Sequence, residues 1–340
     1  MDVSFFQLYY QLSEKHGPHL EAMRKSIVRK SLLAALLGTA LAVWLLWIMP
    51  EDLKILNLLT TWVIVSILLI YTFSLKRPYV SYFRENVAKS FVALVDPSLS
   101  YSPEPPKHLR GKILAQYHTA QFDGRTLLGN TRRMFPIDKL ESPFPSLGNF
   151  ITGVIERRPF QLCCMQLTES GSGSNTRDAV FVGMFVRMNV SKNLIGFIKV
   201  ERKGLGDDTL GSRFIPKEER QKMDHVAFEK DFSVGSSDQI TAMQYLTADV
   251  MELILNFKNE LFDIQTKFNK NSLLWNAHEI RLDFFWQGDE VLMRIGNKKM
   301  FIPTRRDPMC KASLAYCLST LRFVTKLNQV IKKSIKETAI

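Results

Sequence analysis

Few of the usual signs of catalysis are present in this chain. Four cysteines occur in 340 residues (Cys163, Cys164, Cys310 and Cys317), and no two of them form a C-x-x-C pair. That spacing excludes a thiol–disulfide motif and a cysteine-based zinc knuckle, and it favours reduced thiols used for packing. The six histidines are scattered. His16 and His19 make an H-x-x-H that no carboxylate or cysteine set completes. Glycine is sparse, and its clusters, Gly171-x-Gly173 and Gly204-x-Gly206, are neither a dinucleotide fingerprint nor a phosphate loop. No H-E-x-x-H and no G-x-S-x-G occurs. We therefore assign no catalytic, cofactor-binding or metal-ligating residue and expect no cofactor. Asp283, Asp289 and Glu290 flank a hairpin-like break and read as solvated carboxylates.

Charge is missing from two places. Ser31 to Pro50 and Ile55 to Leu75 hold no Asp, Glu, Lys, Arg or His, and only Glu51, Asp52, Leu53 and Lys54 separate them. Roughly 20 apolar residues in a helix match a hydrocarbon core about 30 Å thick. With so short a connection, two such helices must be antiparallel neighbours. The spacing predicts a transmembrane hairpin over 31–75, with spans at 31–50 and 55–75. Basic residues flank it on both sides: Lys15, Arg24, Lys25, Arg29 and Lys30 before, Lys76, Arg77, Arg84 and Lys89 after. Positive flanks stay in the cytoplasm. Both termini are thus expected there, in a multi-pass protein of the cell inner membrane. Trp44, Trp47 and Trp62 fall toward the outer end, as interfacial aromatics do. Ala34, Gly38 and Ala42 recur every four residues on one face, a spacing that lets helices approach closely. That face packs against the second helix of the same chain or against another copy, and the first is favoured.

The remainder divides by composition. Residues 1–30 form an amphipathic segment with an aromatic start, interrupted at Gly17-Pro18. Residues 76–108 hold an amphipathic helix, Pro78 to Val95, with Phe83, Val87, Phe91 and Leu94 at helical spacing, then a proline-rich linker. Residues 109–340 form a single domain large enough for its own core. Strands are expected at Phe160–Thr168, Ala179–Val190, Gly196–Arg202, Phe228–Val234, Ser272–Asn276, Glu279–Trp286 and Glu290–Ile295. Short connections should pair neighbouring strands antiparallel. Asp238 opens a helical stretch, Thr247 is a candidate N-cap for Ala248 to Phe262, and Leu314, Leu318, Leu321, Val324, Leu327 and Ile331 line one side of a long last helix. The fold class is α+β: a membrane hairpin followed by an antiparallel-sheet domain flanked by helices.

The formal net charge is +12, and from Arg305 onward eight basic residues stand against Asp307 and Glu337. The aromatic-and-basic pattern of an RNA-binding sheet is absent, so nucleic acid is not an expected partner. A domain tethered under an anionic leaflet explains the excess by attraction to lipid head groups.

Several strings carry a resemblance. They are Leu99-Ser100-Tyr101-Ser102-Pro103, Ile151-Thr152-Gly153-Val154-Ile155 and Gly183-Met184-Phe185-Val186 with Lys192 and Gly196. Phe228-Glu229-Lys230-x-Phe232-x-Val234 then runs into Asp238-Gln239-Ile240-x-Ala242, and Phe301-x-Pro303 follows. In these the chain resembles the bacterial membrane proteins grouped as domain of unknown function 3137. Met243 stands where that family often has Arg, and Ser191 where it has Asn. The resemblance implies a membrane hairpin with a cytoplasmic α+β domain and carries no established activity. Among the polar residues of these strings, Lys192, Asp238 and Gln239 are the candidate binding cluster. The expected function is a non-enzymatic membrane protein that binds a protein partner, another copy of itself or the anionic membrane surface. An enzyme acting on lipid or peptide, or a secreted effector inserting into a host membrane, are the alternatives.

Overall fold

The computed structural model describes residues 4–48, 54–104, 146–170, 177–203, 219–268, 282–296 and 307–338, with Ile113, Ile215, Ile280 and Phe301 between them. They form two compact units. One comprises Phe6–Ser90 with Phe301–Cys310, and the other Met1–Phe5, Phe91–Met300 and Lys311–Ile340.

The first unit is helical. Helix α1 spans Phe5–Ile48 and runs unbroken through Pro18, where the sequence suggested an interruption. Proline clashes with the Cβ of the residue before it in a helix, and Gly17 has none. Leu8, Leu12, His16 and Leu20, four apart, make the buried edge of this half of α1. Helix α2 spans Lys54–Tyr82, and a π-helical turn, Phe83–Ala88, joins it to α3, Lys89–Val95. The expected helix over Pro78–Val95 is therefore three pieces. Phe83, Val87 and Phe91 are fully buried, but Leu94 is exposed, because the wider π turn rotates the face onto Val92 and Val95.

The helices α1 and α2 lie side by side. The side chain of Leu68 fills the space that Gly38 leaves open, so that a Cβ on Gly38 would collide with Leu68 Cδ1. Among the described residues no helix is long and apolar enough to cross a membrane. The transmembrane spans at 31–50 and 55–75 are thus not found in that set. Residues 49–53 lie outside it, as do the side chains of Ala42, Leu45, Leu46 and Ile48 in α1 and of 54–59, Leu69, Thr72 and Phe73 in α2.

The second unit has the expected α+β class. Its described residues hold seven strands: β1 (Ser100–Ser102), β2 (Ser146–Ile155), β3 (Arg158–Ser170), β4 (Arg177–Arg202), β5 (Arg220–Gln221), β6 (Phe232–Ser236) and β7 (Leu282–Gly296). They run antiparallel in the order β1-β2-β3-β4-β6-β5, and β7 pairs with β4. Among its described residues, besides the end of α3, stand the helices α4 (Val226–Asp231), α5 (Gln239–Tyr245), α6 (Ala248–Phe268) and α7 (Lys311–Thr338).

Three expectations change here. Ala179–Val190 and Gly196–Arg202 do not pair with each other. They are one 26-residue strand, β4, whose register slips between Asn189 and Phe197. Gln287-Gly288-Asp289 is not a hairpin turn either. Gly288 has φ +61° within one continuous strand, β7, and bends it where β4 bulges. Phe228 to Asp231 is helical, because His225 Nδ1 accepts the Phe228 N–H as an N-cap and Phe228 stacks on Phe232 one turn later, ring centroids 5.0 Å apart. The expected strand at Ser272–Asn276 lies outside the described residues.

Both faces of the sheet are covered. On the outer face α6 and α7 pack as an antiparallel pair. Phe257 stacks on Phe323 at 4.2 Å, Phe323 meets Phe284 of β7 at 5.7 Å, and Tyr316 donates to the Leu261 carbonyl. The six apolar positions anticipated along α7 are all buried. On the inner face Phe150, Cys163, Met165, Phe185, Phe285, Leu292 and Ile113 form one core, with Phe197 packed against it. Cys163 and Cys164 point to opposite faces, and both are buried.

Candidate functional site

The inner face of the bend holds four charged side chains, each about 96% or more buried: Lys199, Glu201, Asp283 and Arg294. Lys199 Nζ lies 2.8 Å from Glu201 Oε1, two residues along β4. Arg294 Nε donates to Asp283 Oδ2 at 2.6 Å, its Nη2 reaches the same oxygen, and the Arg202 backbone N–H donates to Oδ1 at 3.3 Å. Glu201 and Asp283 sit directly opposite each other across the β4–β7 ladder. Two carboxylates so placed repel, and each has its own cation, so the four charges cancel. An ion pair buried this deeply gains little net stability, but removing one member leaves an uncompensated charge. The group is a clamp for the bend. Asp283 is thus not solvated, contrary to its reading in the sequence. The signal that was there is a charge in an otherwise apolar strand. Glu290 pairs with Arg187, and Asp289 accepts from Asn189 at the surface.

Asp238 caps α5. It is extended (φ −152°), and its Oδ2 accepts from Thr241 N at 2.8 Å and Thr241 Oγ1 at 2.7 Å. Those hydrogen bonds hold its carboxyl below the usual carboxylate range. Gln239 opens the helix and is exposed. Lys192 lies in β4 where its register slips, and its side chain is outside the described set. The two segments are tied. Ser237 N donates to Phe197 O at 3.3 Å, Phe197 N donates to Ser237 Oγ at 3.2 Å, and Ser236 Oγ donates to Phe197 O at 3.0 Å. The corner therefore brings Asp238 and Gln239 beside the bulge that carries Lys192. Exposed Ile195 and Ile240 flank it. The sequence offered no sign of these outward apolar residues.

In the helical unit, His16 is buried between Tyr82 and Ser90, with Nδ1 3.2 Å from Tyr82 Oη and Nε2 3.5 Å from Ser90 Oγ. Burial, then Lys15 and His19, lower its pKa. His19 lies against the same tyrosine, ring centroids 4.3 Å apart. Burial pushes the Cys163, Cys310 and Cys317 thiols far up, which makes them poor nucleophiles. Among the described residues no three His, Cys, Asp or Glu side chains converge on a metal position. The gap between Ile113, Phe150, Cys163, Phe185 and Arg187 does not admit a water-sized sphere.

What this geometry defines, among the described residues, is an antiparallel-sheet domain whose bend is clamped by buried ion pairs. Residues 179–288 match the family model described as "Protein of unknown function (DUF3137)", which supports the resemblance over that segment. The matched segment holds nearly all of β4, the whole of β6 and three of the four clamp residues. No curated protein matches the chain. Among solved structures, the crystal structure of the mycobacterial trehalose monomycolate transport factor A, TtfA, is similar at 10% identity and a TM-score of 0.33. The alignment covers 74% of this chain and 96% of that one. A likeness at that score carries no argument about this chain.

Proposed function

We propose that the chain is anchored in a bilayer by the α1–α2 hairpin and that its antiparallel-sheet unit is a binding module rather than an enzyme. The observation that carries this is the outward apolar surface of the hairpin. Leu37 is 69% exposed, Trp47 85%, Trp62 74% and Ile70 70%, all within the two uncharged stretches. A water-soluble protein rarely leaves so long an apolar surface uncovered. Lipid covers it without cost, and both helices satisfy their own backbone groups. The basic flanks orient both ends toward the cytoplasm of a cell whose inner membrane holds the hairpin. The buried charges of the clamp are paired with one another, which favours a structural role for them over a catalytic one.

Alkaline carbonate washing of membranes from the producing cell tests the anchor. The protein should stay in the pellet, and protease added outside spheroplasts should leave the sheet unit intact. Release by carbonate would overturn the anchor, and digestion from outside would overturn its orientation.

A further inference from the structure

The β2–β3 connection is a two-residue turn, since Ile155 pairs with Arg158. Its central residues, Glu156 and Arg157, have φ +50° and +65°. Such turns favour Asn-Gly, because other side chains resist positive φ. Two long charged residues there at a cost in backbone strain point to a use for the side chains. Glu156 has one use in view: Gln329 Nε2 of α7 donates to its Oε1 at 2.9 Å. That contact joins the turn to a basic stripe. Arg322, Lys326, Gln329 and Lys333 are spaced four, three and four apart, so they share one face of α7. Lys332 lies three residues beyond Gln329. Lys326, Lys332, Lys333 and Arg157 are exposed, and Arg158 is partly so. Val154, just before the turn, is also 49% exposed.

We infer that this corner, the β2–β3 turn with the basic face of α7, docks on the phosphate head groups of an anionic lipid leaflet. The inference rests on the bilayer anchor proposed above, which holds the unit near such a surface. The charges are complementary, and the exposed valine beside them suits a lipid interface. Each cation near an anionic leaflet strengthens attachment about fivefold.

The test uses the full chain in lipid nanodiscs, with an environment-sensitive dye on Val154→Cys. The four native thiols are buried and spared by brief labelling. Dye emission should rise about twofold or more in discs containing phosphatidylglycerol over discs of phosphatidylcholine alone. The rise should vanish in R157Q/K332Q/K333Q and fall in about 0.5 M salt, where screening is strong. Circular dichroism checks that the variant folds. Equal emission in both discs, with the protein resistant to carbonate, overturns the docking corner and leaves the anchor standing. If carbonate strips the protein, the anchor fails. The corner then stands or falls on whether the dye responds when protein is added to phosphatidylglycerol vesicles. A response to RNA but not to anionic lipid also overturns it.

Discussion

Asp283 and Arg294 belong to the same strand, eleven residues apart, yet Arg294 Nε donates to Asp283 Oδ2 at 2.6 Å. A straight strand would separate them by about 35 Å. The pair therefore holds closed the bend that Gly288 permits in β7 and that the register slip in β4 follows. Lys199 and Glu201 complete the clamp from the facing strand.

Arg294→Met leaves the Asp283 carboxylate buried without its cation. We expect a loss of about 3–5 kcal/mol in urea unfolding. The double change Asp283→Leu with Arg294→Met should recover most of it, since an apolar pair of similar volume is tolerated at such sites. A double variant no more stable than the single one would show that the charges themselves hold the bend.

His16 should make the helical unit sensitive to acid. Its pKa is lowered by burial, so the folded state favours the neutral ring. The stability this represents is complete above the unfolded value near 6.5 and is lost as pH falls through that value toward the lowered one. Among the described residues, the groups that touch or act on the ring are Tyr82, Ser90, Lys15 and His19, none of them a carboxylate. Thermal melts in detergent between pH 7.5 and 5.5 should show a falling midpoint in the native protein and a flatter profile in His16→Gln.

Asp238→Ala removes the cap of α5. The melting midpoint should drop by about 2–4 °C at neutral pH, and Asp238→Ser should restore much of it. The carboxylate contribution is present above the unfolded value near 4 and disappears as pH falls through the lowered one, so native protein and Asp238→Ala should converge in acid.

Gly38→Val places methyl groups where Leu68 Cδ1 stands, 2.1 Å from the position of a Cβ. We expect loosened α1–α2 packing, read as faster protease cutting within the hairpin in detergent. Leu68→Ala in the same chain should reverse it, because the obstruction is a side chain and not backbone.

Much of the second unit was legible in local pattern. The buried line on α7, strand β3 and the start of α6 at Ala248 follow from periodicity and capping, which need only near neighbours. The candidate residues Asp238 and Gln239 were legible as a string, but the role of Asp238 as a helix cap depends on Thr241. Glycine between two apolar runs signals a turn locally, and Gly288 carries that signal. Whether the chain reverses there depends on β4, ninety residues earlier in sequence, against which both arms of β7 are paired.

From the sequence alone came the α+β class, the uncharged stretches, the basic flanks and the α7 core line, since hydrophobic period and charge placement act over a few residues. The tertiary structure alone decided that β4 and β7 run on as single bent strands, that Asp283 is buried against Arg294, and that Glu156 meets Gln329. Those depend on strand register and close packing, which bring together residues whose spacing along the chain says nothing of their distance.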